Sequence, residues 1–331
     1  MNTHSYSKII KALCFICAIL LLPSFVSCNN GETEETQGEI YYTVNFNTNG
    51  GSEIQGVKIK ANGYATRPED PTLDNYVFCR WEHNDRAWSF DTMQITENVT
   101  LSAVWVAAID LFSLEPDEQN TGLLITGFKK QATFTTLKIP SVINGKTVVG
   151  ISDGALSATH DGHAENIIIP ETVVYIDEEA FAGTSVSLVF NGKISYVGEG
   201  AFKSCTLLES ITLEPGMESI PFMAFYECSA LKTINLPEGI KTIDENAFEA
   251  CTSMKTIVLP STLTSVQDSA FLKCDALRSV FFAGTEEQFD ALEILDGNDA
   301  LIDASVYFYS EAEPEDNGSY WHYEKGNPVV W

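Results

Sequence analysis

Between residues 194 and 282, apolar and polar positions recur on a fixed step of 23 residues. Ala-Phe pairs stand at Ala201-Phe202, Ala224-Phe225, Ala247-Phe248 and Ala270-Phe271, and a cysteine follows each: Cys205, Cys228, Cys251 and Cys274. Three aliphatic columns keep the same step, among them Ile211, Ile234, Ile257 and Val280. A period in the twenties carried by aliphatic columns predicts a solenoid, because one turn cannot bury its own apolar edge and must stack on its neighbours. Within a turn, Leu231-Lys232-Thr233-Ile234-Asn235-Leu236 alternates, so a strand is expected with Ile234 and Leu236 inward and Thr233 and Asn235 outward. Pro237-Glu238-Gly239 ends that strand, and Ile240 and Ile243 form a second apolar step. Asp244 through Ala250 predicts a single helical turn with Asp244 placed to cap it, leaving Phe248 and Cys251 for the core.

The flanks read differently. Leu137-Lys138-Ile139-Pro140 and Ile167-Ile168-Ile169-Pro170 begin the repeats in degenerate form. Ala155-Leu156 and Ala180-Phe181 are earlier versions of the Ala-Phe pair, which brings the expected count to six coils. Residues 111–130 read as a hairpin covering the first coil, since a solenoid end exposes an apolar face and needs a cap. Residues 41–105 read as a compact β unit with strands at 42–46, 57–59, 76–81 and 100–105, the first pair joined across Asn49-Gly50-Gly51. Past Phe282 the period stops, with helical spacing at Phe289, Leu292 and Leu295, a strand over 304–310, and a closing cap.

Residues 1–28 are expected to be a targeting segment: Lys8 and Lys11 precede an apolar run over 12–22 that is too short to span a bilayer. Phe25-Val26-Ser27-Cys28 resembles a bacterial lipobox, which implies that Cys28 becomes the lipidated first residue of the mature chain. Residues 29–39 form a polar, acidic tether. An acidic stretch after the lipid cysteine resembles the surface-export signal of Bacteroidota lipoproteins and implies an outer-membrane protein facing the exterior. The formal charge of −27 argues against nucleic acid and against an anionic membrane surface, leaving membrane contact to the anchor.

Two family resemblances follow from particular residues. Val44-Asn45-Phe46, Asn49-Gly50-Gly51, Pro68, Pro71, Tyr76-Val77-Phe78, Trp81, Thr100-Leu101, Ala103 and Trp105 resemble the internalin B-type, or Listeria–Bacteroides, repeat. That implies a β-grasp-like module over 40–107. Its Cys79 stands where that family often has a small residue, a departure expected to matter little. Leu231 to Pro237, Ile240, Ile243, Ala247-Phe248, Cys251 and Met254 to Pro260 resemble the BspA-like leucine-rich repeat. That implies parallel strands with short helical turns over 136–283, a mainly β fold, and a surface protein associated with adhesion. Caps are then expected over 108–135 and 284–331.

Chemistry is sparse. The sequence has no HExxH, no phosphate-binding loop and no nucleophile elbow, so no enzyme and no cofactor are expected. The ladder cysteines read as small buried packing residues, because their spacing fits no metal or redox motif. His160-Asp161-Gly162-His163-Ala164-Glu165 and Asp296-Gly297-Asn298-Asp299 are dense in ligand types, but both read as solvated loops and no metal site is assigned. Trp81, Trp88 and Trp105 read as module core rather than a sugar platform. The candidate binding residues are the outward strand hydroxyls Thr233, Thr256 and Ser279, the neighbouring outward column of Asn235 and Phe281, and the cations Lys232, Lys255 and Arg278 that lie beside them. The function expected is non-enzymatic binding of a host or matrix protein through this face, with capture of a surface glycan as the alternative.

Overall fold

The computed structural model describes residues 39–130, 132–158, 162–315 and 318–331. Cys28, the targeting segment and nearly all of the acidic tether lie outside the described residues, as do His160 and Asp161.

A five-stranded mixed sheet opens the described chain: β1 (Tyr41–Asn47), β2 (Val57–Lys60), β3 (Tyr76–His83), β4 (Arg86–Ala87) and β5 (Val99–Ala107), in the order β2-β1-β5-β3-β4. β1 and β5 run parallel at the centre, and β2 and β3 flank them antiparallel, which is the β-grasp arrangement. One face packs Val44, Phe78, Trp81, Ile95 and Leu101. A register shift between Phe78 and Arg80 makes Cys79 the extra residue of a bulge. Phe78 and Trp81 stay in the module core, while Val77 joins the solenoid core and Cys79 packs against it. The departure at Cys79 is therefore where the module meets the repeats. Asn75 holds the same junction: its carbonyl accepts from Ala108 N at 2.8 Å and its Oδ1 from Asn144 N at 2.6 Å.

The coils build two series of strands, each interrupted once near the coil of residues 208–213. One series of strands carries the alternating motif: Ala132–Lys138, Gly162–Ile169 and Ser187–Phe190, then Thr233–Asn235, Thr256–Leu259 and Ser279–Phe282. The second is shorter: Lys146–Ile151, Tyr175–Ile176 and Tyr196–Val197, then Ser219–Ile220, Thr242–Ile243 and Ser265–Val266. All of these pairings are parallel and in register from coil to coil. The hairpin of Phe112–Pro116 and Leu123–Phe128 adds to the start of the short-strand series, as a cap should. His163 to Glu165, expected in a loop, belong to the strand Gly162–Ile169 and pair with the strand before.

The Ala-Phe segments are successive tight turns, not helix. Asn246 and Ala250 have positive φ, 58° and 60°, which a helix forbids. Asp244 consequently caps nothing helical; it accepts from Thr242 Oγ1 at 3.2 Å. The cause lies in where the N–H groups go. Ala247 and Glu249 donate within their own turn, whereas Asn246, Phe248 and Ala250 donate to carbonyls of the following coil. Behind the turns the phenylalanines form one stack, with Phe202–Phe225, Phe225–Phe248 and Phe248–Phe271 centroids 5.3–5.4 Å apart. All are buried, which supplies the apolar surface that no single coil could hide.

The ladders continue one step past the repeat pattern, giving about seven turns. Thr285 and Gln288 form a capping box on the helix Glu286–Asp290, shorter than its sequence spacing suggests because Glu293–Ile294 leaves to join the short-strand sheet. Ser305–Tyr309, Tyr320–Glu324 and Asn327–Val330 then extend the other sheet.

Candidate functional site: the open face of the long-strand sheet

Two outward columns run across the long-strand sheet. The first is Thr233, Thr256 and Ser279, in direct register, with Thr256 Oγ1 donating to Thr233 Oγ1 at 3.0 Å. Lys232, Lys255 and Arg278 are exposed immediately before them, each backbone N–H donating to the carbonyl of the same column one coil earlier. Lys232 Nζ lies 2.6 Å from Glu209 Oε2, and both side chains are largely in water, so the pair contributes well under about 1 kcal/mol. The Arg278 guanidinium donates instead to the carbonyls of Asp275 and Leu277. The fold thus brings together the three cations and the hydroxyl column named from the sequence.

The second column differs from expectation at one end. Asn235 is exposed, but Val258 is only 2% exposed and Phe281 6%. Trp321 from the closing strands lies across them, its ring 5.6 Å from Phe281, with Tyr307 stacked on Phe281 at 5.5 Å. Trp321 Nε1 donates to the carbonyl of Phe282 at 2.9 Å. Phe281 faces outward as the alternation required, yet the tail covers it and it cannot touch a ligand. At the opposite end the module borders the face. A groove of about 630 Å³ there is lined by Tyr76, Trp105, Lys138, Ile168, Pro170 and Asn191 with their neighbours. Between this groove and the covered Phe281 the long-strand series is interrupted once, between Ser187–Phe190 and Thr233–Asn235, and the cation column lies wholly on the later part.

Other sequence candidates resolve as structure. Trp81 is buried in the module core, so its ring is not free for stacking; Trp105 is partly buried, packs edge-on against Phe78 at 5.5 Å and donates its Nε1–H to Thr48 O at 2.9 Å. Asn298 is buried, and its Oδ1 accepts from Phe271 N at 2.9 Å, the position the next coil's carbonyl would have filled. The ladder cysteines are free thiols. Burial pushes Cys205 and Cys274 up to about 12 and holds Cys228 and Cys251 well above the ordinary range. Among the described residues no three His, Cys, Asp or Glu side chains are grouped to hold a metal ion, and no helix is long and apolar enough to cross a membrane. Sequence reasoning passed over one pair, Tyr175 and Tyr196, stacked 4.5 Å apart on the short-strand sheet. Their spacing of 21 residues equals that of Phe181 and Phe202 in the same two coils, a signal that would have found them.

Residues 128–188 and 185–291 match the BspA type leucine rich repeat region, in six copies, and residues 42–104 match the Listeria-Bacteroides repeat domain. The solenoid is a BspA-type leucine-rich repeat region. The BspA-type repeats are those of bacterial cell-surface proteins, and no catalytic family is indicated by these matches. A 67-residue stretch, 19% of this chain, is 39% identical to part of a protein of Evansella cellulosilytica whose provisional name is membrane protein. The chain spans about a tenth of the length of the curated relatives it matches, 10% in that case. Among solved structures, a leucine rich cell surface protein of Faecalibacterium prausnitzii is 26% identical, over 54% of this chain and 40% of that one, with a TM-score of 0.37. A leucine-rich repeat protein of Eubacterium ventriosum is 19% identical, over 65% of this chain and 55% of that one, with a TM-score of 0.44. The BspA-type assignment agrees with the register of the ladders: the repeat columns Ile234/Ile257 and Thr242/Ser265 are the residues that pair.

Proposed function

We propose that this chain is a non-enzymatic binding protein of the cell surface that adheres to a host or matrix protein through the long-strand face of its BspA-type repeats. It is held at the exterior of the outer membrane by a lipid on Cys28, with residues 29–39 as tether, a module over 40–107, and caps over 108–135 and 284–331 around the repeats at 136–283. The observation that carries the reading is the exposed column of Lys232, Lys255 and Arg278 beside the hydroxyls of Thr233, exposed, and Thr256 and Ser279, half-buried, in register on one sheet. Cations on a rigid flat face suit a short acidic segment in extended conformation, which aligns its own groups at strand spacing. Repeat sheets present such surfaces without any rearrangement on binding.

The test is binding of the chain from residue 29 onward to immobilised extracellular-matrix proteins, measured by surface plasmon resonance at two salt concentrations. Saturable binding that weakens with salt, and that is lost in the triple variant Lys232→Ser, Lys255→Ser, Arg278→Ser while its melting temperature holds, supports the reading. Equal binding by the triple variant removes it. Replacement of Cys28 by Ala should release the chain from membranes of the producing cell, and retention there would remove the anchor.

A further inference from the structure

Both ladders break at the same coil. In the short-strand sheet the residue after each strand donates its N–H to the coil before: Asp177 to Ile151 O, Gly198 to Ile176 O, Asp244 to Ile220 O and Gln267 to Ile243 O, all at 2.8–2.9 Å. Pro221 occupies that position in the one intervening coil and has no N–H to give. The sheet divides there: one ladder ends with Tyr196–Val197 and another begins with Ser219–Ile220. A cavity of about 420 Å³ opens at the break, with Tyr196, Glu199, Glu218, Ser219 and Asp244 in its lining.

The stacked tyrosines form one wall. The Tyr175 and Tyr196 rings lie within 7° of parallel, so Tyr175 covers one face of Tyr196 and the other face points along the ladder toward Ser219. Ser219 is too small to cover it, and Tyr196 is 42% exposed. The wall is well supported. Gly150, in register with Tyr175, leaves no side chain between coils; a Cβ there would stand 3.0 Å from that of Tyr175.

Around this bare ring face Glu199, Glu218 and Asp244 offer carboxylate acceptors, and the Ser219 hydroxyl can accept or donate. Glu218 is paired with Lys241 at 3.0 Å, whereas Asp244 accepts only from the neutral Thr242 hydroxyl at 3.2 Å, so the rim stays negative and disfavours an acidic sugar. A flat apolar surface edged by carboxylate and hydroxyl oxygens matches the C–H face of a pyranose with its hydroxyls donating outward. We propose that the break holds a glycan-binding site, in which one neutral pyranose residue stacks on Tyr196 above Ser219, with Glu199, Glu218 and Asp244 accepting from its hydroxyls. The site lies on the sheet that does not carry the lysine column, so it is independent of the protein-docking reading.

The experiment titrates the full chain with maltohexaose, cellohexaose, mannohexaose and chitohexaose, read by saturation-transfer NMR and by calorimetry. Saturable binding of at least one is expected, weakened about tenfold by Tyr196→Ala. Ser219→Tyr, which continues the ring stack into the cavity, should block binding while the thermal transition stays in place. This second variant keeps the test decisive if Tyr196→Ala folds poorly. Absence of a saturable signal from all four oligosaccharides overturns the site, and so does binding that survives Ser219→Tyr. Salt-sensitive binding of a hexa-arginine peptide, lost in Ser219→Tyr, with no saccharide bound, would make it a cation site and overturn the proposal equally.

Discussion

The thiol of Cys251 donates to the carbonyl oxygen of Phe225, one coil earlier, at 3.2 Å. The same bond joins Cys205 to Phe181, Cys228 to Phe202 and Cys274 to Phe248, each at 3.1 Å. Phe225 spends its N–H on the carbonyl of Ala247 in the following coil, so each phenylalanine is tied forward by its amide and tied again by a later cysteine at its carbonyl. The column is thus a ladder of hydrogen bonds as well as packing. Cys251→Ala should cost about 1–2 kcal/mol, from the lost bond and the small void, read as a lower midpoint in urea. Cys251→Thr should cost less, since Thr184 already fills the equivalent position three residues after Phe181, its Oγ1 3.3 Å from the Cys205 sulfur.

The same burial fixes an alkaline limit. Cys205 and Cys274 titrate near 12 in the folded chain, against 9.0 for an ordinary thiol, because desolvation disfavours the thiolate. The folded state therefore holds protons that the unfolded state releases, and stability present below pH 9 is lost as pH rises toward 12. Each of these two thiols should add a slope of about 1.4 kcal/mol per pH unit in that window. Urea midpoints recorded from pH 8 to 11 test this, and a flat profile would contradict it. Native protein at pH 8 should likewise leave the four ladder thiols unmodified by a disulfide reagent until it is unfolded.

The solenoid was legible because each coil repeats one residue at one place: Phe248 predicts Phe271, and stacking follows from the step alone. The strand facing was legible too, since alternation put Ile234 in and Thr233 out. Alternation states only which way a side chain points, however, and what folds back over it is non-local. Phe281 and Trp321 are 40 residues apart, and nothing periodic relates them. The expected helix at Asp244 failed for a related reason: its N–H groups are claimed by a neighbouring coil, which local propensity does not see. Pro221 was readable, standing where Asp244 and Gln267 stand in later coils, but its consequence needs the hydrogen-bond direction of the ladder.

Asn298 should be the most sensitive polar residue of the C-terminal end. Its Oδ1 takes the amide of Phe271, and its Nδ2 donates to the carbonyls of Gln267 and Leu295 at 2.9 and 3.0 Å. It replaces a missing coil with one side chain. Asn298→Ala leaves those groups without their partner in a buried site, at a cost of about 2–4 kcal/mol in chemical unfolding. Asn298→Asp keeps the acceptor but turns two donors into a carboxylate facing carbonyls, and should be no better at pH 7. Recovery of Asn298→Asp at low pH, where the acid can donate one bond, would distinguish lost bonding from lost packing.

The cover over Phe281 can be lifted separately from the core. Trp321 is fully buried, lies 5.6 Å from Phe281 and 4.8 Å from Tyr323, and bonds the carbonyl of Phe282, while its strand pairs with Tyr309. Trp321→Ala should cost about 3–5 kcal/mol at this end of the solenoid. Contacts in a solenoid reach only to adjacent coils, so the loss should stay local. Limited proteolysis is expected to remove the chain beyond Ser310 early, while the repeats carrying Phe202 to Phe271 persist. Phe281 and Val258 would then add an apolar patch to the open face, detectable with a hydrophobic dye. If the tail of Trp321→Ala instead stays protected and no dye binds, the closing strands are held by their backbone pairing alone and the tryptophan is not what seals the face.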